Sequence, residues 1–330
     1  MPSRRRALVI LALLIGVSAA SVLLALMVGS IRIPLAQVFA AFSGGGENAT
    51  FAEVVTGLRL PRALSGFACG GLLALSGALL QVLLRNPLAD PYILGISGGA
   101  GVGAILSILL GMGVAGTAGA SFAGALAAML LVFGLAHGDG SWTQTRLLLT
   151  GVIVAAGCGA LVALILSIAP DHQLHGMLFW IMGDLSQAAH PGLALWALAA
   201  VLLAALPFAR ELNLLARGPD TAFSLGVRVV ALRRGVYLAA SLATAVAVAQ
   251  AGSIGFIGLI VPHLVRLATG NDQRLLLPAS ALAGGSLLVV ADTLARTVIA
   301  PQQLPVGVLT ALIGVPVFLF LLARDSRLRR

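Results

Sequence analysis

The sequence contains no lysine, because every one of its 20 basic residues is arginine. Without lysine the chain has no GxxxxGK[ST] loop to hold nucleotide phosphates, so it does not hydrolyse ATP by that route. Cysteine is also rare, and Cys69 and Cys158 both lie within apolar runs, which excludes a disulfide framework. We expect both cysteines to be packing residues, and we expect neither a metal site nor a cofactor in this chain.

Charged residues are scarce, at 9% of the chain, whereas hydrophobic residues make up 59% and the mean hydropathy is +1.06. So little polar surface does not cover a soluble globule of 330 residues. The 40 glycines fit closely packed membrane helices, since small residues let helix backbones approach one another. The sequence therefore predicts an all-α polytopic protein embedded in the lipid bilayer.

Apolar segments divide the chain into about ten predicted transmembrane helices within one domain, 1–330. We interpret the first, which follows the basic MPSRRR, as a retained helix and not as a cleaved signal peptide. The external DHQLH, at 171–175, is interpreted as a polar loop whose histidines are surface residues. The predicted segments are 8–28, 61–84, 92–112, 117–136, 146–169, 191–209, 232–251, 254–268, 275–296 and 307–323.

The positions of arginine orient these helices. With the N-terminus in the cytoplasm, all arginines face inward except Arg32, Arg59, Arg62 and Arg296, as the positive-inside rule requires. Both termini are therefore predicted to be cytoplasmic, with the chain in the cell inner membrane. The net charge of +9 is explained by this bias, and no nucleic-acid partner is expected.

An amphipathic stretch, ELNLLARGPDTAFSLGV at 211–227, interrupts the apolar pattern on the predicted cytoplasmic side. Leu212 and Leu215 have helical spacing, Gly218 is suited to end a first helix, and Pro219 is suited to begin a second. The pattern predicts a helix-turn-helix hairpin. Two interpretations are open: the hairpin lies on the lipid surface, or it binds a cytoplasmic partner.

Ionisable groups are nearly absent from the interiors of the predicted spans. Asp292 comes closest, four residues before Arg296, a spacing that permits an ion pair near the outer end of the ninth helix. A carrier driven by protons or sodium normally places an ionisable group near mid-membrane. The energy source is therefore expected outside this chain. A secondary carrier or channel remains the alternative class, and an intramembrane enzyme is disfavoured.

Two long segments resemble signature regions of the FecCD-type, BtuC-like permeases of ABC importers. They are RLPRALSGFACGGLLALSGALLQVLLRNPLADPYILGISGGAGVGA, 59–104, and GSIGFIGLIVPHLVRLATGNDQRLLLPASALAGGSLLVVADTLAR, 252–296. RLLLTGV, FWIMGDL and the 211–227 hairpin extend the resemblance in the same order over most of the chain. The resemblance implies a type II importer permease fold with ten transmembrane helices per subunit.

The resemblance also implies partners and cargo. A permease of this kind forms a homodimer, with two separate ATP-binding cassette subunits that use ATP and Mg and with a periplasmic substrate-binding protein. It moves an iron chelate, either a siderophore or haem, from periplasm to cytoplasm without chemistry on the substrate. Cobalamin is the alternative cargo.

Three groups of site residues follow from the resemblance, and local chemistry offers alternatives for two. ATPase coupling is expected at Leu212, Leu215, Gly218, Asp220, Ala222, Leu225 and Gly226, although Pro219 stands where similar proteins commonly have a carboxylate. A cytoplasmic gate is expected at Asn86, Leu88, Gln144 and Thr145, for which turn chemistry and helix capping is the alternative. Docking of the binding protein is expected at Arg59, Arg62 and Arg296, for which anchoring at the membrane interface is the alternative.

Overall fold

The computed structural model describes residues 4–43, 49–136, 144–188 and 190–328, and no strand occurs among them. Short π and 3-10 segments occupy Val54–Arg59, Pro91–Leu94 and Leu206–Phe208. The α-helices are α1 (Arg4–Met27), α2 (Leu35–Ser43), α3 (Ala49–Glu53), α4 (Leu60–Leu83), α5 (Ile96–Leu109), α6 (Gly113–Ala136), α7 (Gln144–Ile168), α8 (Asp171–Met182), α9 (Gly192–Ala205), α10 (Ala209–Arg217), α11 (Pro219–Ser224), α12 (Val229–Ala251), α13 (Ile257–Thr269), α14 (Gln273–Ala295) and α15 (Val306–Leu328).

Apolar helices account for all ten predicted segments. Within the described residues, seven helices are long and apolar enough to cross a membrane, namely Arg4–Met27, Ala49–Leu83, Gly113–Ala136, Gln144–Ile168, Gly192–Arg217, Val229–Ala251 and Gln273–Ala295. Three shorter apolar helices, Ile96–Leu109, Ile257–Thr269 and Val306–Leu321, match the remaining predictions. The multi-pass, all-α architecture predicted from composition is confirmed.

The structure differs from the predicted boundaries in two places. The second span begins at Ala49, because α3 and the π segment run directly into α4. The predicted external loop that contains DHQLH is the helix α8, from Asp171 to Met182. Polar residues explain both differences: Glu53 and Thr56 delay the predicted start of the second span, and the polar first turn of α8 hides the apolar residues that follow it.

Helix α4 lies at the centre of the bundle, packed against α12, α13 and α14. Its apolar window is 89% buried, whereas those of α1 and α7 are only 11% buried. Glycine makes this close packing possible, because a Cβ atom on Gly77 would collide with the carbonyl oxygen of Gly258 in α13. The outward faces of α1 and α7 are therefore available to lipid or to another subunit.

Hydroxyl groups link the central helices across the apolar interior. The Ser76 hydroxyl lies 2.8 Å from that of Thr244 and joins α4 to α12, and the Ser18 hydroxyl lies 2.9 Å from that of Ser286. The Tyr237 hydroxyl donates to the carbonyl of Met129 at 2.8 Å, which ties α12 to α6. Because lipid offers no hydrogen-bond partners, such contacts favour one particular packing of the helices.

Candidate functional sites at the two ends of the bundle

The 211–227 stretch folds as the predicted helix-turn-helix hairpin, formed by α10 and α11. Gly218 ends α10 with φ +136°, a conformation that side chains with a Cβ rarely adopt. Pro219 follows at the first position of α11, where its fixed φ suits a helix start. Local sequence chemistry therefore determines the sharp turn between the two helices.

One face of the hairpin is fixed to the bundle. Leu212 and Leu215 are 1% and 2% exposed and pack in the main core, and Ala222 is fully buried. The Asn213 side chain accepts from the backbone N–H of Gln273 and donates to Asp272, both at 2.9 Å. These contacts join α10 to the first turn of α14, so the hairpin moves together with the transmembrane helices.

The other face of the hairpin carries unpartnered apolar side chains. Phe223 is 75% exposed and Leu225 is 61% exposed, and Asp220 and Gly226 lie on the same exposed side. The predicted coupling residues therefore divide into two groups, because Leu212, Leu215, Gly218 and Ala222 are buried. Sequence reasoning left Phe223 out of that group. A large aromatic residue in an otherwise polar turn is the sequence signal that could have identified Phe223 as exposed for binding.

The predicted gate residues lie around the turn after α4 and the start of α7. Asn86 accepts from the N–H of Leu88 at 2.9 Å, and Gln144 donates from Nε2 to the Leu83 carbonyl at 3.1 Å. These bonds fit the turn and capping interpretation. Leu88 and Thr145 are exposed beside them. The structure therefore brings Asn86, Leu88 and Gln144 to one place. Thr143, the residue before α7 and a candidate helix cap by its type, lies outside the described residues.

A polar junction that sequence reasoning missed follows this turn. Asp90 accepts from the N–H of Tyr92 at 2.8 Å, and burial raises the pKa of the Asp90 carboxyl to about 6. The Tyr92 hydroxyl donates to the carbonyl of Ile254 at 2.9 Å and accepts from its N–H at 2.8 Å. The junction therefore holds the start of α5 against the extended segment before α13.

At the opposite end of the bundle, two arginines share one carboxylate. Arg62 donates from Nε and Nη2 to Asp292, with Nη2 at 2.8 Å from Oδ1, and Arg296 Nε lies 3.2 Å from Oδ2. Arg62 also donates from Nη1 to Gln303 at 2.9 Å. The ion pair that the spacing of Asp292 and Arg296 permitted is confirmed. The pairing with Arg62, from a distant helix, had no signal in the sequence.

Arg59 does not pair with Asp292 and is only 5% exposed. Its guanidinium donates to the carbonyl of Leu26 at 2.7 Å and to that of Ile31 at 2.5 Å, so it fastens the connection after α1. A binding protein would have to displace both bonds to reach it. The structure therefore favours a structural role for Arg59 within the chain, which differs both from docking and from anchoring at the membrane interface.

In the part of the chain that the structure describes, ten apolar helices form a bundle with an amphipathic hairpin at one end and an arginine cluster at the other, which is the architecture of a multi-pass membrane protein. The described residues contain no group of three His, Cys, Asp or Glu side chains that could hold a metal ion. The model of the FecCD transport family matches residues 12–324. The chain belongs to this family, and it is a permease of the ABC importer class.

Relatives and solved structures agree with this membership. The chain is 43% identical to the cobalamin import system permease protein BtuC of Halobacterium salinarum, over 84% of this chain and 75% of that one. It is 41% identical to the hemin transport system permease protein HmuU of Yersinia pestis, over 82% and 84%. An ABC transporter assigned to the metal-chelate type, in an inward-facing conformation, superposes with a TM-score of 0.85 at 30% identity, covering 96% of this chain and 99% of that one.

Proposed function

We propose that this chain is the membrane subunit of an ATP-driven importer that moves an iron chelate, a siderophore or haem, from periplasm to cytoplasm. Separate ATP-binding cassette subunits hydrolyse ATP with Mg, and this chain performs no chemistry on the substrate. The observation that carries the proposal is the hairpin: its inner face is fixed to α14 through Asn213, and its outer face exposes Phe223 and Leu225. Such a hairpin transmits movement from a bound ATPase to the helices.

The arginine cluster argues against a carrier driven by protons. Asp292 is the carboxylate that a proton carrier would use, but its two oxygens are held by Arg62 and Arg296. Both oxygens are thereby occupied in joining α14 to α4, which is a structural use of the carboxylate.

The experiment is reconstitution of the chain with its ATPase in vesicles. We expect ATP-dependent uptake of a chemically unchanged substrate, and loss of uptake when the ATPase is disabled. Uptake that a proton gradient drives without the ATPase would assign the chain to the secondary carriers. Chemical alteration of the recovered substrate would assign it to the intramembrane enzymes.

The proposed assembly is a homodimer in the inner membrane, with both termini in the cytoplasm and a periplasmic binding protein on the outer face. The outward face of α7 supports it, because Leu149, Ile153 and Leu164 are 58 to 62% exposed. A second copy packed near this helix would place the gate residues at the start of α7 close to the twofold axis. On the outer face, Arg62 and Arg296 are the docking residues for the binding protein.

Cobalamin is the second candidate cargo, and the names of the relatives favour it as much as haem. The 43% identical relative is named for cobalamin import, and the 41% identical one for hemin transport. Calorimetric titration of the cognate binding protein with haem, a ferric siderophore and cobalamin separates the three. Binding of cobalamin alone would replace the iron chelate in the proposal and leave the mechanism unchanged.

A further inference from the structure

A basic cavity of about 900 Å³ lies at the same end of the bundle as the α10–α11 hairpin. Its wall is formed by α1, the end of α4 and the turn after it, α10, the end of α13, the connection after α13 and the start of α14. Arg6, Arg85, Arg217 and Arg266 line it, and all four were assigned to the cytoplasmic side from the sequence. Asp272 is the single carboxylate among the described residues in this wall.

This one carboxylate offsets only part of the positive charge of the four arginines, and its hydrogen bonds hold it against α10 and α14. Asp272 Oδ1 accepts from the Asn213 side chain at 2.9 Å and from the N–H of Arg274 at 3.1 Å, which caps α14. In the described part of the chain, Arg85, Arg217 and Arg266 form no ion pair. The cavity therefore carries an excess of positive charge.

Buried amides give the cavity a defined geometry. Arg266 Nη2 donates to Oε1 of Gln81 at 2.8 Å, and Gln81, which is 3% exposed, donates in turn to the Leu259 carbonyl at 3.1 Å. Gln273 also lines the cavity; it is 2% exposed, and its Oε1 has no hydrogen-bond partner among the described residues. The wall thus offers one guanidinium held in place, that of Arg266, together with one buried acceptor.

The surroundings of the cavity are apolar. Leu267, next to Arg266, lines the cavity and is 65% exposed. Helix α1, which contributes Arg6, turns large side chains outward along its length, with Leu8 at 60% and Leu13 at 65% exposed. Arginine binds phosphate through two parallel donors, and basic pockets between helices on the cytoplasmic side suit lipid headgroups.

We propose that this cavity binds the headgroup of an anionic phospholipid of the inner leaflet. The phosphate lies between the guanidinium groups of Arg217 and Arg266, a headgroup hydroxyl donates to Gln273, and the acyl chains lie along Leu267. The assignment to the inner leaflet rests on the orientation proposed above. A soluble acidic ligand would pair with the arginines, but it would leave the exposed Leu267 beside them without an apolar contact.

Native mass spectrometry of the purified full chain in detergent tests the proposal, with phosphatidylglycerol and phosphatidylcholine as probes. We expect at least tenfold tighter retention of phosphatidylglycerol, and loss of that preference in the double variant Arg217→Gln, Arg266→Gln. The matched control is Arg210→Gln, Arg274→Gln, which removes two exposed arginines that do not line the cavity, one on α10 like Arg217 and one on the first turn of α14. The control should keep the preference.

The lipid site would be overturned if the Arg217→Gln, Arg266→Gln variant kept its preference for phosphatidylglycerol, or if the control variant lost that preference equally. It would also be overturned if millimolar glycerol phosphate displaced the lipid, or if bound lipid disappeared once the ATPase assembled. The last outcome would assign the cavity to the partner. Arg217→Gln alone, at an exposed position, replaces the double variant if that variant does not fold, and a threefold loss is expected. Because retention is measured without transport, its failure leaves the importer proposal standing.

Discussion

Arg62 Nη2 lies 2.8 Å from Oδ1 of Asp292, although 230 positions separate the two residues. Arg296 approaches the other oxygen of the same carboxylate at 3.2 Å. The Asp292 side chain is 3% exposed, so two cations share one buried anion and leave one positive charge in excess. This excess positive charge is suited to binding an acidic protein surface.

Replacement of the shared carboxylate should destabilise the fold. Asp292→Asn leaves two largely buried guanidinium groups without their anion, and removal of one partner of a buried pair costs about 3–5 kcal/mol. We expect the free energy of unfolding in detergent to fall by about that amount. Asp220→Asn, at an exposed carboxylate of the hairpin, is the control and should unfold like the wild type. Equal stability of the two variants would mean that the cluster is not structural.

Arg59 offers a test between a structural role within the chain and docking. Arg59→Met leaves the carbonyls of Leu26 and Ile31 without their donor, and an unsatisfied buried carbonyl, such as that of Leu26, costs about 1–3 kcal/mol. We expect lower stability in denaturant titration, while Arg32→Met, at an exposed arginine nearby, has no effect. A stable Arg59→Met protein that captures the binding protein slowly would instead support docking.

The hairpin should lose its ATPase when its exposed apolar face becomes charged. Leu225→Glu would bury an unpaired charge in the proposed interface, and we expect affinity for the ATPase to fall at least a hundredfold, about 2.8 kcal/mol. Because Leu225 is 61% exposed, the permease itself should fold normally.

Binding of labelled ATPase to permease in nanodiscs measures this affinity. Leu110→Glu is the control, because Leu110 is 67% exposed and lies at the far end of α5 from the Gly95 turn. Wild-type affinity in Leu225→Glu would count decisively against the coupling role of the hairpin.

Arg62 and Arg296 should act mainly through the rate at which the binding protein associates with the permease. Arg296→Gln keeps the contact between Arg62 and Asp292 but removes the excess charge, so capture of the binding protein should slow about tenfold at low ionic strength. Salt should reduce this difference, because mobile ions screen the attraction between the two proteins as they approach. Stopped-flow kinetics at two salt concentrations measures it, with Arg32→Gln as the matched change outside the cluster. If Arg296→Gln and the wild-type permease captured the binding protein at the same rate at low salt, Arg296 would have a structural role only.

Much of the architecture could be predicted because each signal is local. A membrane span requires a long apolar run, and Gly218 followed by Pro219 ends one helix and begins another through their own backbone preferences. The pairing of Asp292 with Arg296 is local as well, since four residues make one turn of a helix. These features needed no knowledge of the neighbouring helices.

Other features depended on which helices become neighbours. Helix α8 escaped prediction because its polar first turn hides the apolar residues that follow. Arg59 and Arg62 stand three residues apart in the same helical segment, yet one is buried against the connection after α1 and the other binds Asp292 of α14. The positions of the two arginines in the sequence do not show which of them binds Asp292. Only the packing around each side chain decides this.

The sequence by itself determined the ten apolar helices, the hairpin and the absence of a lysine-based nucleotide loop, because hydropathy, turn chemistry and composition act within a few residues. Tertiary structure alone decided which hairpin residues face inward, which arginine meets Asp292, and that Arg217 and Arg266 share one cavity. The physical reason is that these relationships join residues from separate helices. Their distances depend on how the helices pack, and no short stretch of sequence contains that information.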